Sequence, residues 1–363
     1  MTTIEEVTLT RLAVPLSEPY KLSLGPVTQF DTILVRMVGR EGSGIGEATI
    51  LTGYTDETIA DSWALACNIA AELPGIASGS AKHRIAQHFA HAPFTATALA
   101  TAIEMTERDP LLEVAEPVGV ALLGTVNATG DAAMAAEIER YIREGYRTLK
   151  MKVGFDVSED LARVARAQGL AGGRARLRID ANQGYTCEEG CWFAAALEPQ
   201  GIELLEQPCD AKDWKSAEDV ARISTVPLML DESIYGEEDI DRAAAIGARY
   251  VKLKLMKLGN LGRLDAALGR IRALGMEPVL GNGVATEIGC WMEACIARFR
   301  ISNAGEMNGF LKQSAPLVQE PFRISDGMLW LAPEPPRLDE AAVARVTVGK
   351  ARFGAPFIAQ RAI

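Results

Sequence analysis

The sequence predicts an α/β fold: a (β/α)8-type, TIM-like barrel under an α+β capping domain formed by the N-terminal segment and the C-terminal tail. The first observation is a repeat. After about residue 118, short β-rich runs alternate with polar turns and amphipathic helices, and the runs end near Val126, Lys152, Asp180, Glu206, Asp231, Lys254, Leu280 and Ala304. Successive ends lie 23–28 residues apart, the length of one strand, one helix and two loops. Eight such units in about 200 residues point to a closed barrel rather than a doubly wound open sheet. The second observation is that the flanks break this rhythm. The expected division is 1–117 for the first part of the cap, 118–318 for the barrel and 319–363 for the returning tail.

Within the cap, residues 7–14 and 32–38 alternate as strands, and a glycine-rich turn over 39–46 follows the second. The polar stretch 17–31 between them is expected to be a loop long enough to act as a lid. Alanine-rich runs at 55–73 and 95–106 predict helices. Near the other end, the alternating run 321–331 is expected to pack back on the N-terminal segment.

Composition removes several classes of function. Of 363 residues, 48% are hydrophobic and 23% charged, as in a water-soluble globular chain, and the net charge of −11 would repel nucleic acid. No apolar run reaches the ~18 residues a membrane helix needs, and the acidic, alternating N-terminus reads as a strand, not a signal peptide. Six cysteines without paired CxxC spacing are expected to be reduced thiols of a cytoplasmic protein. The three histidines, His83, His88 and His91, leave none for the barrel. Serine–histidine triads and histidine-liganded zinc hydrolases are thereby excluded there, and any base must be a carboxylate, lysine, tyrosine or cysteine.

Barrel active sites are built at the C-terminal ends of the strands. Five consecutive units put a charge at that point: Lys152, Asp180, Glu206, Asp231 and Lys254. Three carboxylates converging on one mouth repel one another unless a cation lies between them. Oxygen ligands without histidine or cysteine suit Mg²⁺. The bland alternative is that each acid caps the helix that follows it, which explains one such residue better than three in succession flanked by lysines. Strands two and six face each other across an eight-stranded barrel, so Lys152 and Lys254 are placed to address opposite faces of one substrate. Lys150 shares the strand face of Lys152 at period two.

These residues carry a family resemblance. The Lys150–Met151–Lys152 triplet, the Asp-Ala-Asn ending at Asn182, the Glu-Gln-Pro beginning at Glu206, the Asp-Glu-Ser beginning at Asp231 and the Lys-Leu-Met-Lys beginning at Lys254 resemble, as a set, the muconate-lactonizing subgroup of the enolase superfamily. That subgroup also contains dipeptide epimerases and o-succinylbenzoate synthases. The resemblance implies Mg²⁺ on Asp180, Glu206 and Asp231, with Lys152 and Lys254 as an acid/base pair acting on the carbon next to a carboxylate. It implies a small-molecule carboxylate substrate, no nucleic acid or membrane partner, and a chain that can form homo-oligomers. A racemase or epimerase of a dipeptide or amino-acid derivative is the expected activity. A muconate-type cycloisomerase or a dehydratase would use the same lysine pair.

Candidate substrate contacts are Lys150 and Asn182 in the barrel, Lys21 and Tyr54 (with Tyr20 and Thr55) in the cap, and Glu306 and Asn308 at the eighth strand end. There Glu306-x-Asn308 stands where dipeptide epimerases carry Asp-x-Asp for the substrate ammonium. Three departures from the family pattern stand out. Gly259–Asn260 replaces paired glycines, Ala285 replaces a frequent glutamate with Glu287 close by, and Lys252 adds a cation expected to meet an acidic partner.

Overall fold

A computed structural model describes residues 2–22 and 25–354 of the chain. The cap begins with a meander, β1 (Ile4–Leu22), β2 (Gly25–Gly39) and β3 (Gly42–Thr49), all antiparallel. Over its described residues, 17–22 and 25–31, the stretch expected as a loop is thus strand. The β1–β2 hairpin runs through it, with a register shift between Pro15 and Tyr20. Likewise the glycine-rich stretch expected as a turn is mostly β3. Its glycines serve close packing: a Cβ on Gly46 would stand 2.1 Å from the Ala98 carbonyl oxygen of the helix Pro93–Thr106. Two more helices, Ile59–Ala71 and Ser78–Ala86, complete this layer, and the second went unforeseen because its apolar stripe is short. Ile33, Val35, Ala66, Phe94 and Leu99 are among the side chains buried between sheet and helices.

The chain then forms β4 (Val118–Ala121) and seven strands of one parallel sheet. These are β5 (Gly124–Val126), β6 (Thr148–Lys152), β7 (Arg176–Asp180), β8 (Ile202–Glu206), β9 (Leu228–Leu230), β10 (Tyr250–Leu253) and β11 (Glu277–Leu280), each bonded to its sequence neighbour. The eighth strand is reduced to a single bridge, because only Gly305 pairs, with Leu122. That segment still closes the ring. Glu306 N–H reaches Leu280 O of β11 at 3.0 Å, while Leu123 N–H reaches Gly305 O at 3.0 Å beside β5. Inside the ring, Arg178 joins the seam by donating to Glu203 and to Ala304 O at 2.8 Å. Leu204, Met229 and Val279 form a small apolar cluster within the ring, and the larger core lies between strands and outer helices.

The tail differs from expectation. Residues 321–331 make the hairpin β12 (Arg323–Ser325) and β13 (Met328–Leu331), which pairs with β4 and not with the N-terminal sheet. The strand that returns to the cap is β14 (Thr347–Gly354), antiparallel to β1. The alternation does form strands, but period two carries no information about which edge it meets, and the partner is β4. Among the described residues, no helix is long and apolar enough to cross a membrane, and all six cysteines are unbridged.

Candidate active site

The strand ends bring the sequence-selected charges together. A cleft of about 360 Å³ at the mouth of the ring is lined by Tyr20, Tyr54, Lys150, Lys152, Asp180, Asn182, Asp231, Lys252, Lys254 and Glu306, among others. The pleat explains the convergence: Lys150 and Lys152 alternate on β6 with Leu149 and Met151, which face the outer helices. Asp180, Glu206 and Asp231 end or follow adjacent strands in register, Lys152 opposite Asp180 and Asp180 opposite Glu206.

The motifs also hold the site in place. Gln207, at φ 37°, accepts from Asp231 N–H at 3.0 Å and from Ser233 N–H at 3.2 Å through one oxygen, tying the Glu-Gln-Pro turn to Asp-Glu-Ser. Asn182, at φ 45°, donates its backbone N–H to Asp180 Oδ1 at 2.9 Å and its side-chain amide to Glu232 Oε1 at 2.8 Å. Such left-handed backbone is tolerated by asparagine and stores strain at functional sites. From the cap, Tyr54 is fixed where its carbonyl accepts the Tyr235 hydroxyl at 2.6 Å. Its ring lies 4.9 Å from Lys254 Nζ, and the Tyr20 ring lies 5.3 Å from Lys152 Nζ.

All six oxygens of the carboxylate trio already face a donor. Asp180 Oδ1 takes the Asn182 N–H, and Asp180 Oδ2 lies 2.9 Å from Lys150 Nζ. Glu206 Oε1 accepts from Lys252 at 3.1 Å, whereas Glu206 Oε2 has an ion contact with Lys150 at 2.9 Å that is not aligned as a hydrogen bond. Asp231 Oδ1 accepts from Lys257 at 2.9 Å and Asp231 Oδ2 from Lys254 at 2.8 Å, with Lys252 3.4 Å away.

The trio's oxygens have the right chemistry for a divalent ion, but their arrangement does not fit. Ammonium groups stand among the trio, and among the described residues no group of three or more acidic, histidine or cysteine side chains is arranged to hold a metal.

The two lysines of the expected pair differ. Burial pulls Lys152 below its ordinary pKa, toward the neutral form a base needs. Burial works the same way on Lys254, but the charge of Asp231 outweighs it and holds Lys254 protonated. Lys150 and Lys252 are likewise buried, yet neighbouring carboxylates raise both well above the usual value.

Other sequence-selected residues fall out differently. Glu306 is buried, accepts from Lys150 at 3.1 Å and from Lys252, and is held in its charged form; it is the acidic partner expected for Lys252. Asn308 faces Leu123 O and Lys312 and does not line the cleft. Thr55 binds Glu57 within its own loop, and the Lys21 side chain lies outside the described residues. Glu287 takes no glutamate role at the mouth. It receives Leu317 N–H at 3.0 Å, away from the cleft. Asn260 caps the helix Leu261–Ala273 through Arg263 N–H, which accounts for its replacing a glycine.

Sequence reading missed Glu232 and Lys312. Glu232, pushed up to about 7 by burial and by Asp231, keeps Oε2 buried without a hydrogen bond. Lys312 donates to Gly283 O at 2.7 Å. Neither sits at a strand end, so the pattern that revealed the others was silent.

The chain is 29% identical over 304 residues to the L-Ala-D/L-Glu epimerase of Bacillus subtilis, covering 79% of this chain and 82% of that one. Two solved structures share its fold. Muconate lactonizing enzyme from Pseudomonas fluorescens, complexed with muconolactone, has TM-score 0.87 at 23% identity over 95% and 99% of the two chains. A dipeptide epimerase from Cytophaga hutchinsonii, complexed with Mg and D-Ala-L-Val, has TM-score 0.86 at 21% over 97% and 100%. The sequence model of the family described as Enolase C-terminal domain-like matches residues 133–336, more than half of the protein. The chain therefore belongs to the enolase superfamily, and it is an enzyme.

Proposed function

We propose that the enzyme removes the proton on the carbon next to a carboxylate and returns one to the opposite face, racemising or epimerising an amino-acid derivative. The unlike environments of Lys152 and Lys254 within one cleft carry this reading. In its neutral form, which burial favours, Lys152 takes the proton onto Nζ, and the bonding electrons of the C–H bond spread into the carboxylate. Protonated Lys254, anchored by Asp231, gives a proton to the carbon from the other side. In the reverse direction the roles exchange. The dianionic intermediate needs positive charge at the carboxylate oxygens. Lys150 is one donor placed to supply it, with Tyr20 and Tyr54 covering the cleft against water.

The structure bears on substrate class through Glu306. Both ammoniums that meet Glu306 contact its Oε2, which offsets the charge of the acid and weakens its pull on a free substrate amine. The reading favours acids whose nitrogen is acylated over dipeptides with a free terminus. A cycloisomerase or dehydratase would need a group beside Lys254 that leaves or is attacked, and nothing among the described residues of the cleft selects for one. Incubation of the purified enzyme with a panel of N-acylamino acids and dipeptides in D₂O, followed by proton NMR, tests the proposal. Loss of an α-hydrogen signal with accumulation of the other stereoisomer is expected. An enzyme that converts a substrate with no α-hydrogen exchange contradicts it.

A further inference from the structure

Lys252 lies on β10 two residues before Lys254 and faces into the ring, 2% exposed. Its ammonium touches three carboxylates at once: Glu206 Oε1 at 3.1 Å, Asp231 Oδ2 at 3.4 Å, and Glu306. Lys150 completes the cluster, contacting Asp180, Glu206 and Glu306 at 2.9, 2.9 and 3.1 Å. The acids on either side of the trio's centre are therefore bridged by two ammoniums, which together carry the charge of one divalent ion. We propose that Lys252, with Lys150, supplies at this carboxylate cluster the positive charge that the family resemblance assigns to Mg²⁺, so that the chain binds no divalent ion there and works without one.

The surroundings of Lys252 make the substitution hard to reverse. Below it in the ring lie Leu204, Met229 and Val279, and Val279 is its register partner on β11. Swinging the ammonium down, away from the acids, would bury it unpaired among apolar side chains, which is strongly unfavourable. Mg²⁺ must approach its oxygens to ~2.1 Å. An ion bound by Glu206 and Asp231 would then share those oxygens with an ammonium already hydrogen-bonded to one of them, at a depth where repulsion is poorly screened. Glu306 keeps the ammonium in place from the far side, which gives this buried acid a role other than holding substrate. An ammonium is also a hydrogen-bond donor. Lys150 and Lys252 can direct N–H groups at the oxygens of a substrate carboxylate as its second negative charge develops.

This inference rests on the α-proton reading for its catalytic half only, because metal binding is measured without substrate. Metal-stripped enzyme is titrated with Mn²⁺ and followed by electron paramagnetic resonance, alongside the double variant Lys252→Met/Glu306→Gln, which removes the buried pair together. The wild type is expected to bind Mn²⁺ at least about tenfold more weakly than the variant, since one fewer cation competes for the acids. In EDTA, wild-type α-hydrogen exchange should stay within about twofold of its rate with Mg²⁺. One tightly bound Mn²⁺ per wild-type chain overturns the proposal, whether or not the variant folds. So does exchange that collapses in EDTA and returns with Mg²⁺. If no acid exchanges its α-hydrogen under any condition, the proposed function fails, while the Mn²⁺ titration still decides the place of Lys252.

Discussion

Two sets of buried carboxylates, one at the barrel mouth and one along the seams between packed elements of cap and barrel, have opposite kinds of partner. At the mouth, Asp180, Glu206, Asp231 and Glu306 are met largely by lysine ammoniums. Along the seam, acids are met by backbone. Glu57 accepts from Phe94 N–H at 2.9 Å and Thr95 N–H at 3.0 Å, and Glu104 from Leu261 N–H at 3.0 Å, each at the start of a helix. Glu47 takes Thr286 N–H at 2.7 Å, and Glu293 takes Leu255 N–H and Asn282 N–H, both at 2.7 Å. A helix start offers orphan N–H groups and a positive dipole end, so a glutamate there joins two layers without any cation. The difference teaches that burial of an acid says little about its role until its partner is known. Ammonium partners can move protons and meet substrate, whereas backbone partners fix geometry.

The largest effect should come from the mouth. Lys152→Ala and Lys254→Ala are each expected to lower kcat/KM by at least about a hundredfold, the low end of general acid/base catalysis, with the cap–barrel seam untouched. Steady-state kinetics beside a thermal melt would check this, and a variant that melts early while keeping its rate would break the comparison. A seam acid should do the reverse. Glu57→Gln leaves one acceptor oxygen where the carboxylate serves two backbone N–H groups and the Thr95 hydroxyl, so it should cost about 1–3 kcal/mol of stability by denaturant titration. Its turnover at saturating substrate should change less than about twofold.

pH sharpens the contrast further. Burial pushes Glu47, Glu104 and Glu293 each up to about 7 from 4.5. A carboxylic acid raised on folding holds its proton more tightly in the folded chain. Its contribution is full below the unfolded value and lost as pH climbs through the folded one. The melting temperature should accordingly fall as pH rises from about 4.5 to about 7, and Glu→Gln at any of these positions should flatten that slope. A melting temperature that rises over the same window would contradict the assignment. The smallest effect concerns Glu306→Gln. Whatever it does to the rate, the kcat/KM ratio between a free dipeptide and its N-acetyl counterpart should stay within about twofold of wild type, because Glu306 faces Lys150 and Lys252. A ratio that shifts tenfold would restore it as an amine ligand.

How much of this the sequence discloses follows from which physics is periodic. Strand ends at Val126, Lys152, Asp180, Glu206 and Leu280 coincide with those expected, since apolar runs and turn residues repeat with each unit. The site charges come with them, because a barrel puts strand ends in one place whatever the loops do. The hairpin over 17–31 was hidden by its polar, solvent-facing alternation, and the partner of 321–331 by the indifference of period two to sheet edges. Lys252 was legible as an oddity and as a residue in want of an acid. That its acids would be Glu206, Asp231 and Glu306 together required three strands and a closing segment to meet. Glu57 and Glu47 gave no signal, because a glutamate that caps a helix distant in sequence looks like any surface acid.

The central claim, one lysine for each face of the substrate carbon, is tested most directly by deuterium exchange into the two separated enantiomers of a substrate. Lys152→Ala and Lys254→Ala would be compared with wild type in D₂O by proton NMR. Wild type should exchange both enantiomers. Each variant should exchange only one, the opposite one in the two cases, with no interconversion. Exchange of the same enantiomer by both variants would place both lysines on one face, and exchange of both enantiomers by either would mean that one lysine is not tied to one face; each result contradicts the account.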